Sequence, residues 1–136
     1  MPAPTSSKSI AALIGPTLVV GAAAVLLNLG SWPALIDQAF HNPALIFVSG
    51  FPLFVAGLAI VRAHNHWSGG WPVLVTVAGW LALVGGASRI LFPTRLAAIA
   101  GGAVQTAGVL PGVAGLFLVI GAVLTYKAYS RPAKPA

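Results

Sequence analysis

Residues 43–61 read PALIFVSGFPLFVAGLAIV, 19 consecutive positions without a charge. A bilayer core about 30 Å thick is crossed by about 20 apolar residues in a helix, which satisfies its own backbone where no water can. Working outward, Ile10 to Leu29 is a second uncharged run, and Trp71 to Ser88 is a third that stops at Arg89. The run from Leu96 to Tyr126 is longer than one crossing needs. It predicts a helix over 104–126, with Leu96 to Gly102 as an interfacial approach. The fold class read from this pattern is an all-α membrane protein with four transmembrane helices at 10–29, 43–61, 71–89 and 104–126. These form one domain over 10–129, and the polar stretches 1–9 and 130–136 read as mobile tails. The first apolar run is too long for a secretory signal and reads as a retained span.

The composition agrees. The chain has 136 residues, 58% hydrophobic and 6% charged, whereas charged residues make up about a quarter of a soluble domain. Asp37 is the only acid, and Lys8, Arg62, Arg89, Arg95, Lys127, Arg131 and Lys134 give a formal charge of +6. A pI near 11.1 would point to nucleic acid in a soluble chain. Here the basic residues stand at the ends of apolar runs, so they read as topology signals and lipid-headgroup contacts, and nucleic acid is excluded as a partner. With the N-terminus inside, the inner face carries Lys8, Arg62, Lys127, Arg131 and Lys134 against Arg89 and Arg95 outside, which favours both ends in the cytoplasm. Trp32 and Phe92 mark the outer boundary; Trp67, Trp71, Tyr126 and Tyr129 mark the inner one. The absence of cysteine excludes disulfides and thiolate metal sites.

Two similar hairpins emerge when Pro33 is laid on Pro93 and Pro52 on Pro111. Each half then reads as a span, an outer turn with a short interfacial helix, and a span kinked by a central proline. Both halves run the same way, unlike the inverted repeats of many transporters. Chance likeness between two apolar, proline-containing segments remains the alternative.

Small residues recur at helical spacing, with Ala78, Ala82 and Gly86 on the third span and Ala103, Ala107, Gly108 and Gly112 at the fourth. Such faces admit close helix approach, either inside the protomer or in a self-association seam. His64 and His66 share the inner loop, but a metal needs three or four ligands, and Asp37 and His41 belong to the opposite face. Asp37 and His41 sit four apart on the outer side, with Ser31 nearby, but there is no nucleophile elbow and no second carboxylate. No catalytic, metal or cofactor site is expected. A carboxylate relay within the membrane is excluded, since no Asp or Glu lies in a span. Arg89, closing the third span, is the sharpest binding candidate. Its expected partners are Asp37, Asn28, Gln105 and Thr106, and snorkelling to headgroups is the plain alternative.

At His64-Asn65-His66-Trp67, followed by Thr76, Gly79-Trp80, Arg89 and Pro93, the sequence resembles a family of small four-span bacterial membrane proteins with an HN-x-W loop and a T-x-x-G-W third helix. The match runs from the inner loop through the third span, and the variable loop position is His66. The resemblance implies four spans in a bacterial inner membrane and carries no activity with it. Physically, His64 and Asn65 are expected to donate to the last carbonyls of the second helix, and Trp67 to anchor the turn. Trp80, near mid-span, is expected to hydrogen-bond inside the protein. With Arg62 beside the loop, the binding candidates are Arg89, Trp80, Arg62, His64, Asn65 and Trp67. The expected function is a non-enzymatic homo-oligomer, associated through its small-residue faces, that forms or lines a permeation path for an ion or small solute. The alternative is an accessory or assembly subunit of a larger membrane complex.

Overall fold

The computed structural model describes residues 3–104 and 106–130. These form α1 (Ala3–Leu27), α2 (Trp32–Phe40), α3 (Pro43–Ala63), α4 (Pro72–Leu91), α5 (Pro93–Val104) and α6 (Val109–Tyr129), with no strand among the described residues. Four of them, α1, α3, α4 and α6, are long and apolar enough to cross a membrane. The protein is therefore an all-α, four-span membrane protein.

Prolines set several starts. Pro43, Pro72 and Pro93 open α3, α4 and α5, where the missing N–H has no helical partner to lose. Asn42 caps α3, its side-chain oxygen accepting from the Leu45 N–H at 3.3 Å. At the end of α1 the Ala24 carbonyl accepts from Asn28 Nδ2 at 2.9 Å and from Trp32 Nε1 at 3.0 Å, so this tryptophan caps a helix.

Three boundaries differ from expectation. Residues 3–9 continue α1 instead of forming a tail, because Ser7 is buried and bonded to His64. At the other end Ser130 caps α6, and 131–136 fall outside the described residues. The segment from Leu96 to Gly102 belongs to the short helix α5, and the last span begins at Val109, not Val104. Gly108, at φ +87°, makes that break, since the left-handed conformation favours glycine. Pro111 thus sits in the first turn of α6 and needs no kink. The prolines inside helices are Pro16 and Pro52. Pro16 removes the N–H that would bond the Ala12 carbonyl, and the Tyr129 hydroxyl approaches that carbonyl at 3.5 Å.

The long helices pack in pairs, α1 along α6 and α3 along α4, while α2 and α5 meet each other at one end. Lys8 Nζ donates to the Ser130 carbonyl at 3.3 Å, joining both chain ends at the opposite end. Each pair closes on glycine. A Cβ on Gly57 would collide with the backbone of Leu83, and one on Gly86 with that of Phe54. One on Gly121 would lie 2.9 Å from the Gly15 carbonyl, and one on Gly15 2.7 Å from Thr125 N.

These contacts expose the true repeat. Gly121 follows Gly57 by 64 positions (121 less 57), and the same step takes Gly15 to Gly79, Ala22 to Gly86, Gly50 to Ala114 and Ala11 to Val75, all buried. Leu27 and Leu91, the last residues of α1 and α4, share it. The contact of Gly57 with Leu83 becomes that of Gly121 with Val19; the contact of Gly79 with Val61 becomes that of Gly15 with Thr125. Two similar halves do exist, each a span, a short helix and a span. Aligning Pro52 with Pro111 misplaces them by several residues, because one proline is mid-helix and the other opens a helix. The shared core sits near the chain-end side, where Ala11, Val75 and Leu124 are fully buried.

Gly57→Leu is therefore expected to lower stability by about 1–3 kcal/mol or to block folding. Gly21→Leu, with open space around it, should leave stability unchanged; thermal unfolding in mild detergent distinguishes the two.

Candidate functional site

The loop from His64 to Trp71 and the helix ends around it form the densest polar network among the described residues. Helix α3 stops at Ala63 because His64 turns extended at φ −149°, with its N–H still bonding the Ile60 carbonyl at 2.7 Å. Its imidazole, 1% exposed, then points inward. Nδ1 lies 3.1 Å from Ser7 Oγ on α1, and Nε2 lies 3.1 Å from the Pro72 carbonyl on α4. A carbonyl only accepts, so in the neutral ring the proton belongs to Nε2 and Nδ1 accepts from the serine hydroxyl. One side chain ties three spans.

The neighbouring loop residues support it. The His66 ring stacks on His64 with centroids 4.7 Å apart and planes 21° apart. Thr76 Oγ1 accepts from the His66 N–H and donates to the His66 carbonyl, both at 3.1 Å. Trp67 Nε1 donates to Asn65 Oδ1 at 2.7 Å on the exposed side. Gly69 and Gly70, at φ +88° and +83°, turn the chain into α4. Of the HN-x-W and T-x-x-G-W residues, Thr76 brackets the loop backbone and Gly79 admits Ile60 of α3, whereas Trp80 lies away from the loop.

Several expectations change here. His64 and Asn65 do not place their side chains on the last carbonyls of α3; those side chains bond Ser7, Pro72 and Trp67. Both His64 ring nitrogens are engaged, which leaves none to a metal. Ser7 was missed because it fell in a presumed tail. The signal was there: Ser7, Ala11 and Gly15 are small residues four apart, continuing the packing face of α1.

The other candidates lie elsewhere. Arg62 is exposed in the last turn of α3, two residues before His64. Arg89 is half-buried in the last turn of α4 and makes no hydrogen bond or ion pair with another described residue. Asn28 is spent on Ala24, Asp37 lies 3.5 Å from the His41 ring, and Gln105 is outside the described residues. His41 Nδ1 is nearer the Asp37 carbonyl, at 2.8 Å. Trp80 departs furthest from expectation. It is 40% exposed on the outward side of α4, with no hydrogen bond to another described residue. The small-residue face of the third span also divides, for Gly86 packs on α3, whereas Ala78 and Ala82 line an apolar cleft of about 600 Å³ between α1, α3 and α4. On the fourth span, Gly108 and Gly112 meet nothing.

Compared with protein-family models, curated proteins and solved structures, the chain matches none.

Replacing His64 with alanine removes the side chain that ties Ser7 of α1 and the Pro72 carbonyl of α4 to the end of α3 and empties a fully buried position. A loss of roughly 1–3 kcal/mol predicts a clear drop in the unfolding temperature. Asn65→Ala, exposed, should change it little. Equal effects of the two substitutions would show that the His64 tie does not hold the helix ends.

Proposed function

We propose that the protein is a non-enzymatic integral membrane protein that works as a homo-oligomer, lining a permeation path for an ion or small solute between its copies. The observation that carries this reading is Trp80. Its indole N–H stands midway along α4, on a face turned to the membrane, without an acceptor among the described residues. Hydrocarbon offers no acceptor there. A second copy does. The open sides of Gly108 and Gly112 add a surface on which another helix can approach closely. The cleft inside the protomer is lined by apolar side chains and one threonine, so a path for a polar solute fits better between copies than through one. Arg89, in the last turn of α4, is the charged group placed to act at its outer mouth.

The charge pattern orients this assembly with both ends in the cytoplasm, since Lys8, Arg62 and Lys127 belong to the chain-end side. The resemblance in the loop and third span favours the inner membrane of a bacterium.

Trp80→Phe keeps the ring and removes the donor. Hydrogen bonds between membrane helices contribute about 0.6–2 kcal/mol, so self-association, followed by energy transfer between labelled copies in vesicles, should weaken roughly 3- to 30-fold. In the same vesicles the wild type should pass a tested ion or solute, and Arg89→Ala should alter the rate. A monomeric wild type that passes nothing would overturn the reading. An accessory subunit of a larger complex is the second reading, favoured by how little chain lies outside the helices. A native pull-down that returns a second protein in fixed ratio, with no self-association, would select it.

A further inference from the structure

The apolar cleft has a position, a lining and a boundary that together define a ligand. It runs beside Ile10 to Leu18 of α1 and Leu53 to Ala63 of α3, with Ala78 and Ala82 of α4 behind, and has a volume of about 600 Å³. Pockets for small ligands span about 300–1,000 Å³. The ten-residue rise from Leu53 to Ala63 makes it about 15 Å long. At one end it reaches Ile10 and Ala63, next to the Ser7–His64 bond that closes α1 against α3. Thr17 supplies the only hydroxyl in the lining, and it already donates to the Leu13 carbonyl at 2.7 Å. The cleft therefore offers nothing to a polar group.

Four positions of the cleft wall on α1 and α3 differ in size from their counterparts in the other half. Across the 64-residue repeat, Ala56 and Ala59 correspond to Ile120 and Val123, Thr17 to Leu81, and Leu53 to Phe117. In each of these pairs the residue lining the cleft is the smaller. Of the counterparts, Ile120 packs against the core, while Leu81, Phe117 and Val123 remain exposed, and Leu13 of the cleft corresponds to the smaller Val77 in the other half. An unfilled apolar hollow forfeits dispersion contacts all along its walls. Because the four long helices are membrane spans, the matter beside this opening is lipid hydrocarbon. Arg62, exposed and without a bond to another described residue, stands one position from Ala63 at the mouth. A phosphate is the natural counter-charge for it.

We propose that this cleft holds one acyl chain of an anionic phospholipid from the leaflet on the chain-end side, with the headgroup phosphate near Arg62. The lipid is a bound component, distinct from the exchanging shell around the bundle.

The test uses the full chain in vesicles of phosphatidylethanolamine and phosphatidylglycerol, doped with phosphatidylglycerol that carries a diazirine midway along one acyl chain. After photolysis, labelled peptides are mapped by mass spectrometry. Labelling of 10–18 and 53–63 should exceed that of the corresponding 74–82 and 117–127 several-fold. Ala56→Ile with Ala59→Val, the residues of the other half, should remove the excess. Ile120→Ala with Val123→Ala should create new labelling on 74–82 and 117–127, a gain that misfolding of the first variant cannot mimic. Arg62→Gln should reduce capture of phosphatidylglycerol relative to an equally labelled phosphatidylcholine. Uniform labelling of all outward helix faces would overturn the proposal. So would crosslinking of the cleft to a second copy in place of lipid, or excess labelling that survives the filled variant.

Discussion

Glycine permits the backbone contact on which everything else rests. In lipid no hydrophobic force drives one apolar helix toward another, so association depends on how closely the helices approach. At Gly57 against Leu83 and at Gly121 against Gly15 and Val19, the approach leaves no room for a single extra carbon. These crossings fix the pairs α3–α4 and α1–α6. The pairs, in turn, meet around Ala11, Val75 and Leu124. Beside that core, alanines of α3 and α4 face the cleft.

The polar network around His64 answers a different need. At the end of a bundle the spans have left hydrocarbon, and water competes for every hydrogen bond. Burying the imidazole between Ser7 and Pro72 withdraws one set of bonds from that competition and locks α1, the end of α3 and the start of α4 together. The opposite end is held differently, by indole and amide groups on the Ala24 carbonyl and by α2 against α5. One end is pinned by a buried side chain, the other by helix caps.

The four spans were legible in the sequence because hydrocarbon thickness imposes a length, and a helix that meets water on one face rarely stays apolar for that many residues. The breaks between spans were legible only in part. An apolar run such as 96–126 carries no charge to mark its interruption, and the sequence alone did not say that Gly108 would adopt a left-handed conformation. Prolines misled the repeat alignment because proline is tolerated both in a first turn and within a membrane helix, so its chemistry does not fix its register. The glycines facing another helix do fix it, but only once their partners are known. For the candidate site, the loop residues stood out by type, whereas Ser7 and the outward turn of Trp80 depended on which helix faces touch.

The 64-residue step makes each half depend on the other. Within either half the two long helices are not each other's main partners; α1 rests on α6 and α3 on α4, so each half is completed by the other. Under the step Lys8 and Ser130 fall on Pro72 and His66, so the 64–71 loop occupies the place that corresponds to the meeting of α1 and α6 at Lys8 and Ser130. A two-span fragment cut at that loop would keep neither close helix crossing.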